Sequence, residues 1–131
     1  MELNIKKKSA MNGIDFVADT NFLISLHEGK SFTRPFLDQV AAVSVISEIE
    51  LLGWTKIGDS EKRKLQALIN DCVVIDLRTE VKSLAIMLRQ KQKIKVPDAI
   101  VAATSLYLQV PIVTSDHGFK NIRDIELILI S

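Results

Sequence analysis

Phe16-Val17-Ala18-Asp19-Thr20-Asn21 decides the fold: an apolar run breaks off into three small polar residues, as a short buried strand does where it gives way to a helix. The same transition returns along the chain. Ala42-Val43-Ser44-Val45 runs into Ser47-Glu48-Ile49-Glu50-Leu51, Pro111-Ile112-Val113-Thr114-Ser115-Asp116 empties into His117-Gly118, and Val96-Pro97-Asp98 opens the alanine-rich stretch from Ile100 to Leu108. Between these lie helical spacings over residues 20–28, 33–39, 47–56, 60–70 and 79–90, the last carrying Val81, Leu84, Ala85 and Leu88 on one stripe. Residues 72–75 and 126–130 supply further apolar strands. Strands that alternate with helices predict a three-layer α/β/α architecture around a central parallel sheet of about five strands, with right-handed crossovers placing helices on both faces.

Each transition carries an acid: Asp19, Glu50, Asp98 and Asp116. In an open parallel sheet, strand ends and the helix starts that follow them converge on one edge, where ligands bind. A shared cleft is therefore expected. Every acid also has a structural alternative. Asp19 suits a helix N-cap, Glu50 closes a Ser47-x-x-Glu50 capping box, Asp98 beside Pro97 favours the positive end of a helix dipole, and Asp116 suits an Asx-turn before Gly118. Their joint placement on one rim is what separates a site from four capping choices.

Carboxylates crowded into one cleft must hold protons or bind a cation. With no Cys or His at ligand spacing, an all-oxygen set suits Mg²⁺ or Mn²⁺ rather than Zn²⁺. Such an ion keeps open positions that accept phosphate oxygens, so metal-assisted phosphodiester hydrolysis is the expected chemistry.

The ordered set of four motifs resembles the PIN-domain ribonucleases, and among them the VapC-type toxins of toxin-antitoxin modules. The pieces are Ala18-Asp19-Thr20-Asn21-Phe22-Leu23-Ile24, Ser44-Val45-Ile46-Ser47-Glu48-Ile49-Glu50-Leu51-Leu52-Gly53, Val96-Pro97-Asp98-Ala99-Ile100-Val101-Ala102-Ala103-Thr104 and Ile112-Val113-Thr114-Ser115-Asp116-His117-Gly118-Phe119. The resemblance implies that Asp19, Glu50, Asp98 and Asp116 are the catalytic, metal-binding quartet and that Thr20, Asn21 and Thr114 orient it. In the second motif it favours the acid directly before the leucine, Glu50, over Glu48; two residues apart on a helix, the two cannot face the same way. Many relatives carry another acid two residues after the fourth, where this chain has Gly118, which implies a weaker second metal position. The resemblance further implies an RNA substrate, a homodimer formed through early helices (Phe22, Leu23, Leu26, Phe32 and Phe36 being available to it or to the core) and an antitoxin that places an Arg near the acids.

Composition narrows the reading. At 131 residues and 47% hydrophobic, the chain suits one domain over residues 13–131, with residues 1–12, including Lys6-Lys7-Lys8, as a loose tail and Met11 as an alternative start. A net charge of +1 argues against a broad basic nucleic-acid surface, so recognition falls to local cations: Arg34, Lys56, Lys93 and Lys95, with Arg89 and Lys91 beside them. Five Phe, one Trp and one Tyr argue against an aromatic base-stacking platform, and Trp54, Met87, Leu51 and Leu52 suit helix packing. A single cysteine, Cys72, suits a reducing cytoplasm, and no apolar stretch reaches membrane-spanning length. Two rivals fail on residues: a phosphoacceptor receiver needs adjacent acids after the first strand and a lysine after the last, and a haloacid-dehalogenase-type phosphatase needs an acid where Asn21 stands. A third rival, a catalytically idle module of the same fold that serves only in partner binding, is opposed by the retention of all four acids.

Overall fold

The computed structural model describes residues 12–131, so the expected tail lies outside the described residues except for Asn12, whose side-chain amide donates to Leu108 O at 3.0 Å. Five parallel strands, β1 (Phe16–Ala18), β2 (Ala41–Ser44), β3 (Val73–Ile75), β4 (Ile112–Thr114) and β5 (Leu127–Leu129), lie in the order β3-β2-β1-β4-β5. The chain winds outward from β1 in one direction and then returns to build β4 and β5 on its other side. The reversal leaves a crevice beside the carboxyl end of β1, the usual ligand position in such sheets.

Pleating explains why the strands read as unbroken apolar runs. Phe16, Ala18, Val43 and Val113 face one helical layer, whereas Val17, Ala42 and Ile112 face the other. On the first face stand α1 (Thr20–His27) and α3 (Asp59–Asn70), with Phe16, Phe22 and Phe36 interlocked edge to face at 5.4 to 5.6 Å. On the second stand α4 (Thr79–Lys91) and α5 (Val96–Leu108), which bring Val81, Leu88 and the Ala99 to Ala103 run into the core. The helix α2 (Val45–Leu52) spans both, with Ile46 packing on one side and Leu51 on the other. Among the described residues, no helix is long and apolar enough to cross a membrane.

Several local expectations change. The cap of α2 is Ser44, whose Oγ accepts from Ile46 N at 3.2 Å, and not Ser47, because the strand already ends at Ser44. Ser47 instead lies buried in the first turn with its hydroxyl unpartnered. The helix also stops at Leu52 rather than reaching residue 56: Gly53 and Trp54 donate to Ile49 O and Leu51 O, closing the last turn. The expected helix over 33–39 is a 3₁₀ turn, Ser31–Phe36, since Pro35 inside it lacks a donor. Phe22 and Leu23, 1% and 0% exposed, belong to the core and have no surface to offer a dimer. Trp54 is the opposite case: expected in packing, it is 46% exposed. Because α2 ends at Leu52, short of the expected last turn, Trp54 is left outside both cores.

Candidate functional site

The crevice at the sheet reversal is a pocket of about 300 Å³ lined by Asp19, Glu50, Asp98 and Asp116 together with Thr20 and Asn21, and walled by Pro97, Val101 and Phe119. Each acid arrives on a different element. Asp19 directly follows β1 and caps α1, its extended backbone letting Oδ1 accept from Phe22 N at 2.8 Å. Asp116 follows β4 and turns its Oδ1 back to accept from Gly118 N at 2.8 Å. Asp98 stands in the first turn of α5, after Pro97, which needs no hydrogen bond there. Glu50 comes from α2 and accepts at Oε1 from Thr20 Oγ1 at 2.8 Å. The capping roles foreseen for Asp19 and Asp116 are thus real, and they coexist with the shared pocket. Glu48 is not among the lining residues.

Thr114 ties two acids together. Its hydroxyl donates to Asp19 Oδ2 and accepts from Asp116 N at 2.8 Å, so the ends of β1 and β4 are held in register through one buried oxygen. Asp19 is 3% exposed, and burial pushes its carboxyl from 3.8 up to about 6. The hydrogen bonds from Thr114 and Phe22 oppose that rise, while the negative charges of Asp116 and Asp98 add to it. Asp98 is also raised, first by burial and then by Asp116 and Glu50, against the pull of Lys95 at the N-cap of the same helix. Burial first, and neighbouring negative charge second, hold the Asp19 and Asp98 carboxyls above the usual carboxylate range, and a cluster so placed wants a counter-charge.

The donor set fits a hydrated hard cation. All available donors are oxygens, and the pocket leaves room for waters. The acids line the pocket without closing into a finished cage: among the described residues no group of three or more His, Cys, Asp or Glu side chains has the geometry of a ready metal site. Mg²⁺ is usually held by one or two carboxylates and retains several waters, which such an open arrangement would accommodate. Gly118 matters here because a Cβ would stand 3.1 Å from Asp116 Oδ1.

The cations expected beside the site are dispersed. Lys95 is the near one, its charge acting on Asp98. Arg34, Lys56 and Lys93 are exposed and line no part of the acid pocket; Arg89, Lys91 and Lys93 border a separate hollow at the end of α4, where Arg89 Nε donates to Ile94 O. Sequence reading overlooked the apolar wall. Val101 stands one turn after Asp98, and that i, i+3 spacing was the available signal.

A family model described as PIN domain matches residues 16–125. No curated protein matches the chain. Among solved structures it is similar to a toxin-antitoxin complex from Klebsiella pneumoniae, with 24% identity, a TM-score of 0.73, and coverage of 87% of this chain and 96% of that one. It is similar also to VapBC2 from Rickettsia felis bound to a DNA fragment from its promoter (18% identity, TM-score 0.77, 88% and 98% covered). FitAcB from Neisseria gonorrhoeae gives 19% identity and a TM-score of 0.67 over 86% and 95%. At these identities the structures speak for the fold, and the family match spans most of the sheet and all four acids. This chain belongs to the PIN domain family.

Proposed function

We propose that the chain is a VapC-type toxin, a Mg²⁺- or Mn²⁺-dependent endoribonuclease of the cytoplasm that works as a homodimer and is silenced by a cognate antitoxin. The observation that carries the reading is the meeting of four carboxylates from four separate elements in one pocket at the sheet reversal. Asp19, Glu50, Asp98 and Asp116 would hold the ion, and Gly118 in place of a further acid favours one ion at rest. When bound, the ion supplies acidity to a water and neutralises charge on the leaving oxygen of an in-line displacement. Thr114 fixes Asp19 and Asp116, Thr20 fixes Glu50, and the apolar wall of Pro97, Val101 and Phe119 limits the access of bulk water.

Burial holds the Asp19 carboxyl up at about 6, so a cation entering the site would displace whatever proton it carries. In the balanced reaction, water oxygen bonds to phosphorus, the phosphorus–oxygen ester bond breaks, and the leaving oxygen is protonated. An antitoxin fits the same electrostatics. The solved toxin-antitoxin relatives motivate that partner, and an Arg delivered into this pocket would compete for the carboxylates. Purified protein and an end-labelled single-stranded RNA test the reading: cleavage that requires Mg²⁺ or Mn²⁺, stops in EDTA and is lost in Asp98→Asn supports it. Cleavage indifferent to chelation or to that substitution refutes it.

A further inference from the structure

We propose that Asn21 reads the ribose of the RNA substrate, its side-chain amide meeting the 2′-hydroxyl on the 5′ side of the cleaved bond, a role that rests on the ribonuclease reading above. Thr20, Asn21 and Thr114 share the expected part of orienting the acids, but the structure separates them. Thr114 donates to Asp19 and Thr20 donates to Glu50, whereas among the described residues the Asn21 amide has no hydrogen-bond partner. It lines the acid pocket all the same. A side chain that holds no acid yet faces the pocket is available to what enters it.

Elimination among the lining residues points the same way. Asp19, Glu50, Asp98 and Asp116 only accept when ionised, Pro97, Val101 and Phe119 present carbon, and the Thr20 hydroxyl proton is engaged by Glu50. Asn21 is the one lining side chain with uncommitted hydrogen-bond donors. A polyanion drawn into a pocket of four carboxylates needs such donors. A neutral amide supplies them, where a Lys or Arg at the same place would compete with the metal ion for the acids.

Depth decides which part of the nucleotide the amide meets. Asp19 is 3% exposed at the floor of the pocket, while Asn21, two residues on in the first turn of α1, is exposed at its rim. A scissile phosphate bound through the ion among the acids leaves its sugar, one ester oxygen away, toward that rim. The 2′-hydroxyl stands on the carbon next to the one that bears the 3′ ester oxygen, so it is the sugar group nearest the reacting phosphorus. A phosphate oxygen only accepts and would engage the Nδ2 donors alone, whereas the 2′-hydroxyl both donates and accepts, matching Oδ1 and Nδ2 together. That hydroxyl is also the group by which a protein tells RNA from DNA.

A double-mutant cycle between protein and strand tests the contact. The substrate is a mixed-sequence single-stranded oligoribonucleotide whose cleaved bond has been mapped with the wild type, set against the same strand with one 2′-deoxy substitution on the 5′ side of that bond. Both are cleaved in Mg²⁺ by wild type and by Asn21→Ala. The variant should lose about 5- to 50-fold in kcat/KM on the all-ribose strand and less than about twofold on the deoxy strand. Its Mn²⁺ uptake by calorimetry should match the wild type, because Asn21 holds none of the acids. A loss of equal size on both strands, or no loss on the all-ribose strand, overturns the contact and leaves the ribonuclease reading intact. Weaker Mn²⁺ uptake in Asn21→Ala assigns the amide to ordering the acids and overturns the contact as well. A deoxy strand that the wild type cannot cleave assigns the 2′-hydroxyl to the reaction itself and overturns both the contact and water as the nucleophile; a wild type that cleaves no RNA removes the proposal together with the ribonuclease reading.

Discussion

Replacing Asp19 by Asn should make the metal-free protein more stable at neutral pH, although Asp19 stands at the centre of the proposed site. Burial raises its carboxyl from 3.8 to about 6, so the folded state resists ionisation that the unfolded chain accepts freely. Below pH 3.8 both states hold the proton and there is no cost. Between 3.8 and 6 the unfolded chain releases it first and stability falls; above 6 the loss is complete, at about 3 kcal/mol from 1.36 kcal/mol per pH unit. Asn carries no charge at any pH and keeps an oxygen for Phe22 N, but it no longer accepts from the Thr114 hydroxyl, which returns about 1 kcal/mol of the gain. The net expectation is about 2 kcal/mol in favour of the variant at pH 7.5 in EDTA, fading toward pH 4, by urea denaturation with unchanged m-values. In Mg²⁺ the order should narrow or reverse, since the wild type gains about 2.7 kcal/mol at a hundred times its dissociation constant while a variant short of a ligand gains less. An Asp19→Asn protein that is destabilised in EDTA by the same amount at pH 4 and pH 7.5 would refute the claim that burial of charge governs this residue.

Thr114→Val should strip Asp19 of a donor and Asp116 N of its acceptor, costing about 1 to 3 kcal/mol and weakening metal uptake, with Thr114→Ser restoring both; chemical denaturation and calorimetry measure the two effects. Divalent-ion affinity should rise from pH 5 to pH 7 and then level off, because the proton on Asp19 competes with the ion below about 6; a flat profile by titration calorimetry would contradict this. Leu51→Ala, at a fully buried position of the Phe-rich core, should cost about 2 to 5 kcal/mol and leave the ion affinity of the surviving folded protein unchanged, which separates packing from site.

The architecture was legible because the sheet is buried on both faces. Runs such as Phe16-Val17-Ala18 and Ile112-Val113-Thr114 then need no alternation, and the small polar residues after them mark the strand ends where the acids emerge. The site followed from the same rule, since any acid at a strand end or the following helix start lies on one edge. Details set by tertiary competition were not legible. Ser44 and Ser47 are equally good caps by composition, and the pairing of Ser44 with Ile75 decided between them. Phe22 and Trp54 are both large apolar residues near a helix, yet only the first meets the rings of Phe16 and Phe36; which side chain finds partners depends on elements far away in sequence. Lysines scattered on the surface gave no signal either, and only Lys95, fixed beside Asp98 by the start of α5, has its charge felt at the site.

The central claim is that this pocket exists to hold a divalent ion. Titration of wild-type protein with Mn²⁺ at pH 7.5, read by calorimetry and by loss of the free-ion electron paramagnetic resonance signal, tests it directly. Saturable uptake that Asp98→Asn and Asp116→Asn each weaken by tenfold or more is the expected result; no uptake, or uptake that both variants leave untouched, would contradict the account.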